Sequence, residues 1–204
     1  HLFQSLTRGL PDAQNVPLFE WLTRLYPVWQ RVDYRAVHQA ALVSLAELLL
    51  SGCTLTSDHA YLFPPGSDVR LEATLEAAEK LGIRIHAGRG AMSLGRSAGG
   101  LPPDECVEPE DRILADCERV IAQYHDPAPM AMRRIDLAPC APFNVTPELF
   151  DRMRQLARQH GLLLHTHIAE TLDEQRFCLE KYGIRPMEYL RRHEWLGRDV
   201  YLAH

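Results

Sequence analysis

Apolar positions along the chain follow a helical spacing in some segments and a strand pattern in others. In YRAVHQAALVSLAELLLSG (34–52), apolar residues recur every three or four positions, and a glycine follows the last turn. The segment CTLTSD (53–58) after it is typical of a short strand. DVRLEATLEAAEKLG (68–82) and IRIHAG (83–88) repeat this order. The pattern predicts two successive helix-to-strand units.

The same alternation continues to the end of the chain. The helix over 144–161 is marked most clearly, by Thr146 as N-cap, Pro147 at the first helical position and Gly161 after the last turn. The other predicted elements are helix 112–126, strand 133–142, strand 162–169, helices 172–183 and 185–197, and strand 200–204. Short apolar strands alternating with helices predict a parallel sheet covered by helices.

Two α/β architectures fit this order, an open doubly wound sheet and a (β/α)8 barrel of the TIM type. Polar residues near the predicted strand ends favour the barrel, because barrel enzymes gather their chemistry at that edge. These residues are Asp58, His86, Cys140, His167 and His204. Five strands are too few for a whole barrel, so residues 1–204 are predicted to form part of one barrel domain. The Gly- and Pro-rich connection over 89–111 is long enough to suggest a functional loop.

The segment LLLHTHIAET (162–171) carries the clearest candidate chemistry. Side chains alternate along a strand, so His165 and His167 share one face, and Glu170 follows just beyond the strand end. Neutral imidazoles bind zinc or iron, and a neighbouring carboxylate can carry protons. Two structural alternatives stay open: His165 as a core or supporting residue, and Glu170 as a carboxylate favoured by a helix N-terminus.

Composition excludes several classes of function. The net charge is −5 with no basic stripe, which argues against nucleic-acid binding. No apolar run approaches the roughly 20 residues of a membrane span, and no signal peptide is recognisable, so a cytoplasmic protein is expected. The five cysteines form no CxxC pair, which indicates reduced thiols. Assembly of the protein into a homo-oligomer is an alternative that the sequence leaves open. Surfaces or helix ends are predicted for His38, His59, His125, His160 and His193.

On these motifs the chain resembles the amidohydrolase superfamily over essentially its whole length. The resemblance is carried by HLFQSLTRG (1–9), APCAPFNVTPEL (138–149), LLLHTHIAET and YLAH (201–204). Within the superfamily, the branch of chlorohydrolases and aminohydrolases is the most similar. The stretch over 88–126 is similar to the 8-oxoguanine deaminases of that branch.

The resemblance implies a site with one divalent metal ion, zinc in preference to iron. His1 matches the second histidine of an HxH motif that ends the first barrel strand, and His167 matches the ligand three residues before the catalytic glutamate. Glu170 is then the acid–base residue, and His204 orients or polarises the attacked centre. The first HxH histidine and an aspartate after strand eight are expected outside this sequence. The fourth barrel strand has no lysine to bridge a second metal.

The resemblance also implies substrate contacts near Gln4, Trp29, Arg89 and Cys140. Trp29 and Cys140 stand where nucleoside-handling relatives carry glutamate and histidine, which favours a free purine base as the small-molecule substrate. Three of these residues have a structural alternative: Trp29 as a core aromatic, Arg89 in a surface ion pair and Cys140 as a small buried residue. The implied reaction is hydrolytic deamination of 8-oxoguanine to urate and ammonia. The alternatives are a related guanine or triazine hydrolase and a metal-free barrel scaffold.

Overall fold

The structure, a computed structural model, describes residues 1–204 and contains five strands and seven α-helices. The strands are β1 (Leu55–Ala60), β2 (Arg84–Ala91), β3 (Arg133–Pro139), β4 (Leu164–His167) and β5 (Val200–Ala203). The helices are α1 (Leu18–Trp29), α2 (Tyr34–Leu50), α3 (Glu72–Leu81), α4 (Glu110–Tyr124), α5 (Pro147–His160), α6 (Leu172–Tyr182) and α7 (Pro186–Arg192). Short 3-10 helices span Leu2–Thr7, Pro11–Ala13, Arg96–Ala98 and Asp104–Cys106. None of the helices combines the length and the hydropathy that a bilayer span requires.

The strands form one sheet, in which every pair of neighbours is parallel and the spatial order follows the chain order from β1 to β5. A doubly wound sheet reverses its strand order at a switch point, whereas a barrel keeps the order of the chain. The sequential order therefore decides between the two predicted architectures in favour of the barrel type.

Contacts across the sheet show that it is curled. The Nδ1 atoms of His59 on β1 and His165 on β4 are 2.7 Å apart, although three strand spacings separate the two strands. In a flat sheet three spacings of about 4.8 Å would hold the strands about 14 Å apart. The Tyr201 hydroxyl on β5 likewise donates to Asp136 on β3 over 2.9 Å. The five strands therefore form about half of a barrel wall.

The alternation of side chains separates a helix-facing surface from a barrel interior. Ile85, Ala87, Ile135, Leu137 and Leu164 are almost completely buried and belong to the main hydrophobic cluster. The residues between them in each strand point to the other face of the sheet. On that face Ser57 lies beside His86 and His165 beside Tyr201, so these polar residues face the barrel interior. The strand sequences read as apolar because one face is packed under helices.

Local signals in the sequence fix most helix ends. The Thr146 hydroxyl accepts the N–H of Leu149 over 3.2 Å, as expected of an N-cap. Gly82, Gly161 and Gly183 end α3, α5 and α6 in the left-handed conformation that glycine adopts without strain. Helix α1 was not predicted. It contains Pro27 near its C-terminal end, which weakens the helical signal of that segment.

Gly90 allows β2 to approach the end of β1 closely, and Gly90→Ala is expected to destabilise the fold. A Cβ atom there would lie 2.7 Å from the Cα of Tyr61 and would also meet the carbonyl of Ala60. Both are backbone atoms, so overpacking should cost about 1–3 kcal/mol in the free energy of unfolding. Chemical denaturation measures this loss. Gly197→Ala is the control, because its added Cβ meets only the ends of two movable side chains, the carboxylate of Asp199 and the guanidinium of Arg158. Equal losses in the two variants would contradict the explanation.

Candidate active site

A cavity of about 380 Å³ lies at the carboxyl edge of the sheet. Its walls are formed by His1, Gln4, Leu18, Trp21, Leu22, Tyr61, Cys140, Phe143, Asn144, His167, Glu170, Ala203 and His204. This cavity is called the pocket below. A wider groove of about 690 Å³ runs along the first 3-10 helix and α2, but His1 is the one histidine in its walls. The chemistry therefore belongs to the pocket.

His1 and His167 present the same ring nitrogen to the pocket. The Nδ1 of His1 is 2.7 Å from the carbonyl oxygen of His59, and the Nδ1 of His167 is 2.9 Å from that of Cys140. A carbonyl can only accept, so both Nδ1 atoms carry the proton and both Nε2 atoms keep a lone pair. The two ring centroids are 4.8 Å apart. Such an arrangement, in which a carbonyl fixes the tautomer, is typical of histidines that bind a metal.

Further donors surround these two imidazoles. His59, Cys140 and His167 each bring one potential ligand atom to within 4.8 Å of the others. The Nε2 of His59 is buried and has no hydrogen-bond partner, which is costly unless another group satisfies it. A donor set dominated by imidazole suits zinc or iron. The residues present therefore fit the metal that the sequence predicts.

Burial keeps the pocket histidines neutral. It lowers the pKa of His167 to about 4, against the opposing effect of the hydrogen bond to the Cys140 carbonyl. Burial also lowers the pKa of His59 well below its usual value. At neutral pH these rings therefore carry a free lone pair and no charge. Burial raises the pKa of the Cys140 thiol to about 12, so that group is protonated at neutral pH.

Glu170 and His204 form a pair next to His167, whose ring centroid is 5.7 Å from that of His204. The Oε1 of Glu170 is 3.4 Å from the Nε2 of His204. Burial raises the pKa of Glu170, and His204 opposes the rise. A carboxyl group that binds a proton more readily than in water suits an acid–base residue. The predicted pair is thus brought together beside the predicted ligands.

Of the four predicted substrate contacts, the structure brings Gln4 and Cys140 to the pocket. Gln4 lies on the first 3-10 helix, and its Nε2 donates to the Tyr61 hydroxyl over 3.1 Å. Its amide oxygen stays available as an acceptor. Cys140 follows the end of β3, and its side chain is buried in the pocket wall.

Trp29 and Arg89 are not brought to the pocket. Trp29 is fully buried behind it and donates from Nε1 to the Thr7 hydroxyl over 3.1 Å. Arg89 shares the parity of Ile85, so its side chain points from β2 toward the helices. There its Nε donates to Asp116 over 2.6 Å, and the guanidinium also pairs with Glu108 over 3.0 Å. Arg89 therefore joins the connection after β2 to α4, and the surface ion pair considered from sequence is a buried one.

Two strand-end residues have other positions than predicted. Asp58 faces the helices and accepts the N–H of Leu2 over 2.9 Å, which fixes the 3-10 helix that carries Gln4. His86 is the third residue of β2, and its Nδ1 lies 3.2 Å from Asp136 in the lower interior. Strand alternation sends Asp58 outward, and β2 continues past His86 to Ala91.

The prediction for His59 was wrong, because this residue lies in the sheet and is 6% exposed. The strand was expected to end at Asp58, but β1 continues to Ala60, and the side chain of His59 faces the barrel interior. Three of the other four histidines lie at helix ends, as expected: His125 after α4, His160 at the end of α5 and His193 after α7. His38 instead lies within α2 and is half-buried, with its Nδ1 3.0 Å from the carbonyl oxygen of Ala73.

Aromatic walls of the pocket were not predicted. Trp21 comes from α1, Tyr61 follows β1, and Phe143 follows β3. The connection after β2 supports Phe143, whose carbonyl accepts the N–H of Leu101 over 3.0 Å. The apolar spacing of LFEWLTRLYPVW was the available signal for α1 and Trp21. The walls suit a flat ring.

The buried histidines predict a loss of stability in acid for the metal-free protein. The folded-state pKa of both His165 and His167 is about 4, lowered by burial from 6.5. As the pH falls below 6.5 the unfolded chain binds protons that the folded chain rejects. These two histidines should then lower the free energy of unfolding by about 3 kcal/mol each between about pH 7.5 and pH 4, while Glu174, whose pKa burial raises to about 7, acts in the opposite direction over part of this range. Denaturation at several pH values tests this; His167→Asn should weaken the dependence, and the exposed His160→Asn should not.

The curled parallel sheet, the imidazoles at its carboxyl edge and the adjacent carboxylate define a class of protein, the barrel hydrolases that work through a bound metal. The chain belongs to the amidohydrolase family, whose model matches residues 1–203. This confirms the family that the motifs indicated.

Curated relatives cover the whole chain. The 8-oxoguanine deaminase of Pseudomonas aeruginosa is 48% identical over 204 residues, which is 100% of this chain and 45% of that protein. The hydroxydechloroatrazine ethylaminohydrolase of a Pseudomonas species is 38% identical over 207 residues, with 100% and 43% covered. The chain thus spans less than half the length of these relatives.

Solved structures confirm the barrel. An atrazine chlorohydrolase from Arthrobacter aurescens, complexed with zinc, superposes with a TM-score of 0.92 at 38% identity. The match covers 100% of this chain and 46% of the chlorohydrolase chain. An adenosine deaminase from Xanthomonas campestris with bound zinc has a TM-score of 0.82 at 24% identity, with 100% and 42% covered, and supports the fold alone. The fold is that of a partial amidohydrolase barrel.

Proposed function

We propose that the complete protein is a metal-dependent aminohydrolase that converts 8-oxoguanine and water into urate and ammonia. One observation carries the proposal: two imidazoles with free Nε2 lone pairs and the Glu170–His204 pair face the same pocket. The 48% identity to an 8-oxoguanine deaminase supports the choice of substrate.

His1 and His167 would hold one divalent metal ion, with zinc the expected ion. When bound, the ion supplies Lewis acidity that makes water a strong nucleophile at neutral pH. The hydrogen bonds from Nδ1 to the carbonyls of His59 and Cys140 orient the two rings and make them better donors. His59 contributes a third neutral imidazole next to them.

Glu170 would carry protons during the reaction. Water provides the oxygen of the new C–O bond, and the exocyclic C–N bond breaks as ammonia leaves. Glu170, with its raised pKa, can transfer a proton to the ring nitrogen beside the attacked carbon, so negative charge does not build up there. His204, 3.4 Å from Glu170, is positioned to orient that carboxyl group and to polarise the attacked centre.

The pocket suits a free base. Trp21 and Phe143 offer apolar faces for stacking. Gln4 brings an amide donor and acceptor to the wall, and adjacent N–H and C=O groups of an oxidised purine can use both.

Ammonia release from a panel of substrates tests the proposal. The metal-loaded complete protein is assayed for ammonia with 8-oxoguanine, guanine and isoxanthopterin. It is assayed for ethylamine with an ethylamino-triazine, because hydrolysis of that C–N bond releases ethylamine. We expect the highest kcat/KM for 8-oxoguanine, by at least about a hundredfold over guanine, because polar groups matched to the extra oxygen and N–H stay unpaired with guanine. If guanine equals it, the substrate assignment fails and the deaminase mechanism stands. If no substrate releases ammonia or ethylamine, a metal-free scaffold is favoured.

A further inference from the structure

Glu174 is a buried carboxylate that contacts the backbone just before it in the chain. It lies in the first turn of α6 and is 0% exposed. One carboxylate oxygen accepts the N–H of Ala169 over 3.2 Å, and the other accepts the N–H of Glu170 over 2.8 Å. These two amides belong to the turn between β4 and α6. Glu174 thus holds the backbone of the residue to which the proton transfer is assigned.

The contact extends beyond ordinary helix capping. Thr171 at the N-cap of α6 makes no side-chain capping bond, and its hydroxyl is buried without a partner. Glu174 is at the third helical position, where the glutamate of a capping box accepts the N–H of the N-cap residue. It also accepts the N–H groups of Ala169 and Glu170, which precede the cap. Its carboxylate therefore orders the turn as well as the start of the helix.

That turn has an unfavourable backbone conformation. Ala169 has a φ of 57°, in the left-handed region that costs an alanine roughly 1 kcal/mol. Such a conformation persists when the surroundings fix it, and the two bonds from Glu174 are fixing contacts at this point. The bend directs the Glu170 side chain into the pocket, 3.4 Å from His204.

Helix α6 is itself anchored to the loops around the pocket. Near its C-terminal end, Lys181 donates from Nζ to the carbonyl of Ala98 over 3.0 Å, and Tyr182 donates to the carbonyl of Pro142 over 2.9 Å. The helix that carries Glu174 is thus held at both ends. A rigid support of this kind is what precise placement of an acid–base group requires.

We propose that Glu174 is a positioning residue for Glu170, holding the backbone of the turn so that the Glu170 carboxyl group points at the substrate. The proposal rests on the proposed role of Glu170 as proton carrier. It assigns no contact with substrate or metal to Glu174. Its loss should therefore affect the rate of the chemical step and leave metal binding unchanged.

Two variants of Glu174 test this in the complete, metal-loaded protein. Glu174→Gln keeps the shape but turns an amide donor toward one backbone N–H, and Glu174→Asp keeps the charge but is too short to bind both. We expect full metal content, a KM changed by less than about twofold, and a kcat lowered about ten- to a hundredfold in both variants. If Glu174→Asp keeps the normal kcat, the two hydrogen bonds do not position Glu170 and the proposal fails.

Asp173→Asn is the matched control, because Asp173 is the adjacent carboxylate on α6 and faces Arg176 at 3.6 Å. It should leave kcat and KM unchanged. In the Glu170→Gln background, adding Glu174→Gln should lower kcat by less than about threefold further, since Glu174 acts through Glu170. A full additional loss in that background, or a normal kcat in both single variants, would overturn the proposal.

Amide hydrogen exchange separates this proposal from the proposed function. The N–H groups of Ala169 and Glu170 should exchange at least about tenfold faster in Glu174→Gln than in the unmodified protein, and at the normal rate in Asp173→Asn. If the unmodified protein deaminates nothing, the proposed function fails and the exchange measurement alone decides whether Glu174 orders the turn. Unchanged exchange in Glu174→Gln would refute that ordering.

Discussion

His167→Ala is expected to remove the metal and the activity together. His167 is 9% exposed, its Nδ1 proton is committed to the Cys140 carbonyl, and its Nε2 faces His1 and the pocket. Alanine supplies no ligand atom. The loss of activity should be at least about a thousandfold, because a catalytic metal contributes several kcal/mol to the transition state. Metal analysis and ammonia release on the same preparation measure both effects.

His165→Ala is the matched comparison for this prediction. His165 is two residues earlier on the same face of β4, but its Nδ1 lies 2.7 Å from that of His59 and its ring packs on Tyr201 at 4.4 Å. We therefore assign it a supporting role, and most of the metal should stay bound. Equal metal loss from the two variants would show that the ligand was assigned to the wrong histidine.

Glu170→Gln is expected to keep the metal and to lose the reaction. The side chain lies beside His204, and glutamine preserves its shape while it removes the exchangeable proton. General acid–base catalysis contributes about a hundredfold or more, so kcat should fall by at least that factor. A metal content that differs from the normal value by no more than about 10% shows that Glu170 is not a ligand. Parallel loss of metal and activity would contradict the assignment.

Much of the fold was predictable because it depends on local patterns. The alternation of helical and strand spacing of apolar residues predicted all five strands. Thr146 and Gly161 marked both ends of α5 correctly. The choice between an open sheet and a barrel rested on polar strand ends, and the strand order confirmed it. Helix α1 was missed although Leu18, Leu22 and Leu25 follow a helical spacing, because Pro27 inside the segment weakened the signal.

The pocket was predictable where a residue follows a clear strand end. His167, Glu170 and His204 meet as the motifs indicated, since neighbouring parallel strands end at one edge. His59 was missed because the end of β1 was placed two residues too early. His59 was therefore placed outside the strand, although it shares the interior face with Ser57. Arg89 was misjudged for a related reason. Side chains alternate along β2, and Arg89 is on the side that faces the helices and not the pocket.

The dependence of ammonia release on metal content tests the central claim most directly. The complete protein is stripped with a chelator, and zinc is returned in steps while kcat for 8-oxoguanine is followed. Metal-dependent deamination at this pocket predicts negligible release from the stripped protein and a linear rise that saturates near one ion per chain. Ammonia release that is unchanged after the metal has been removed would contradict it.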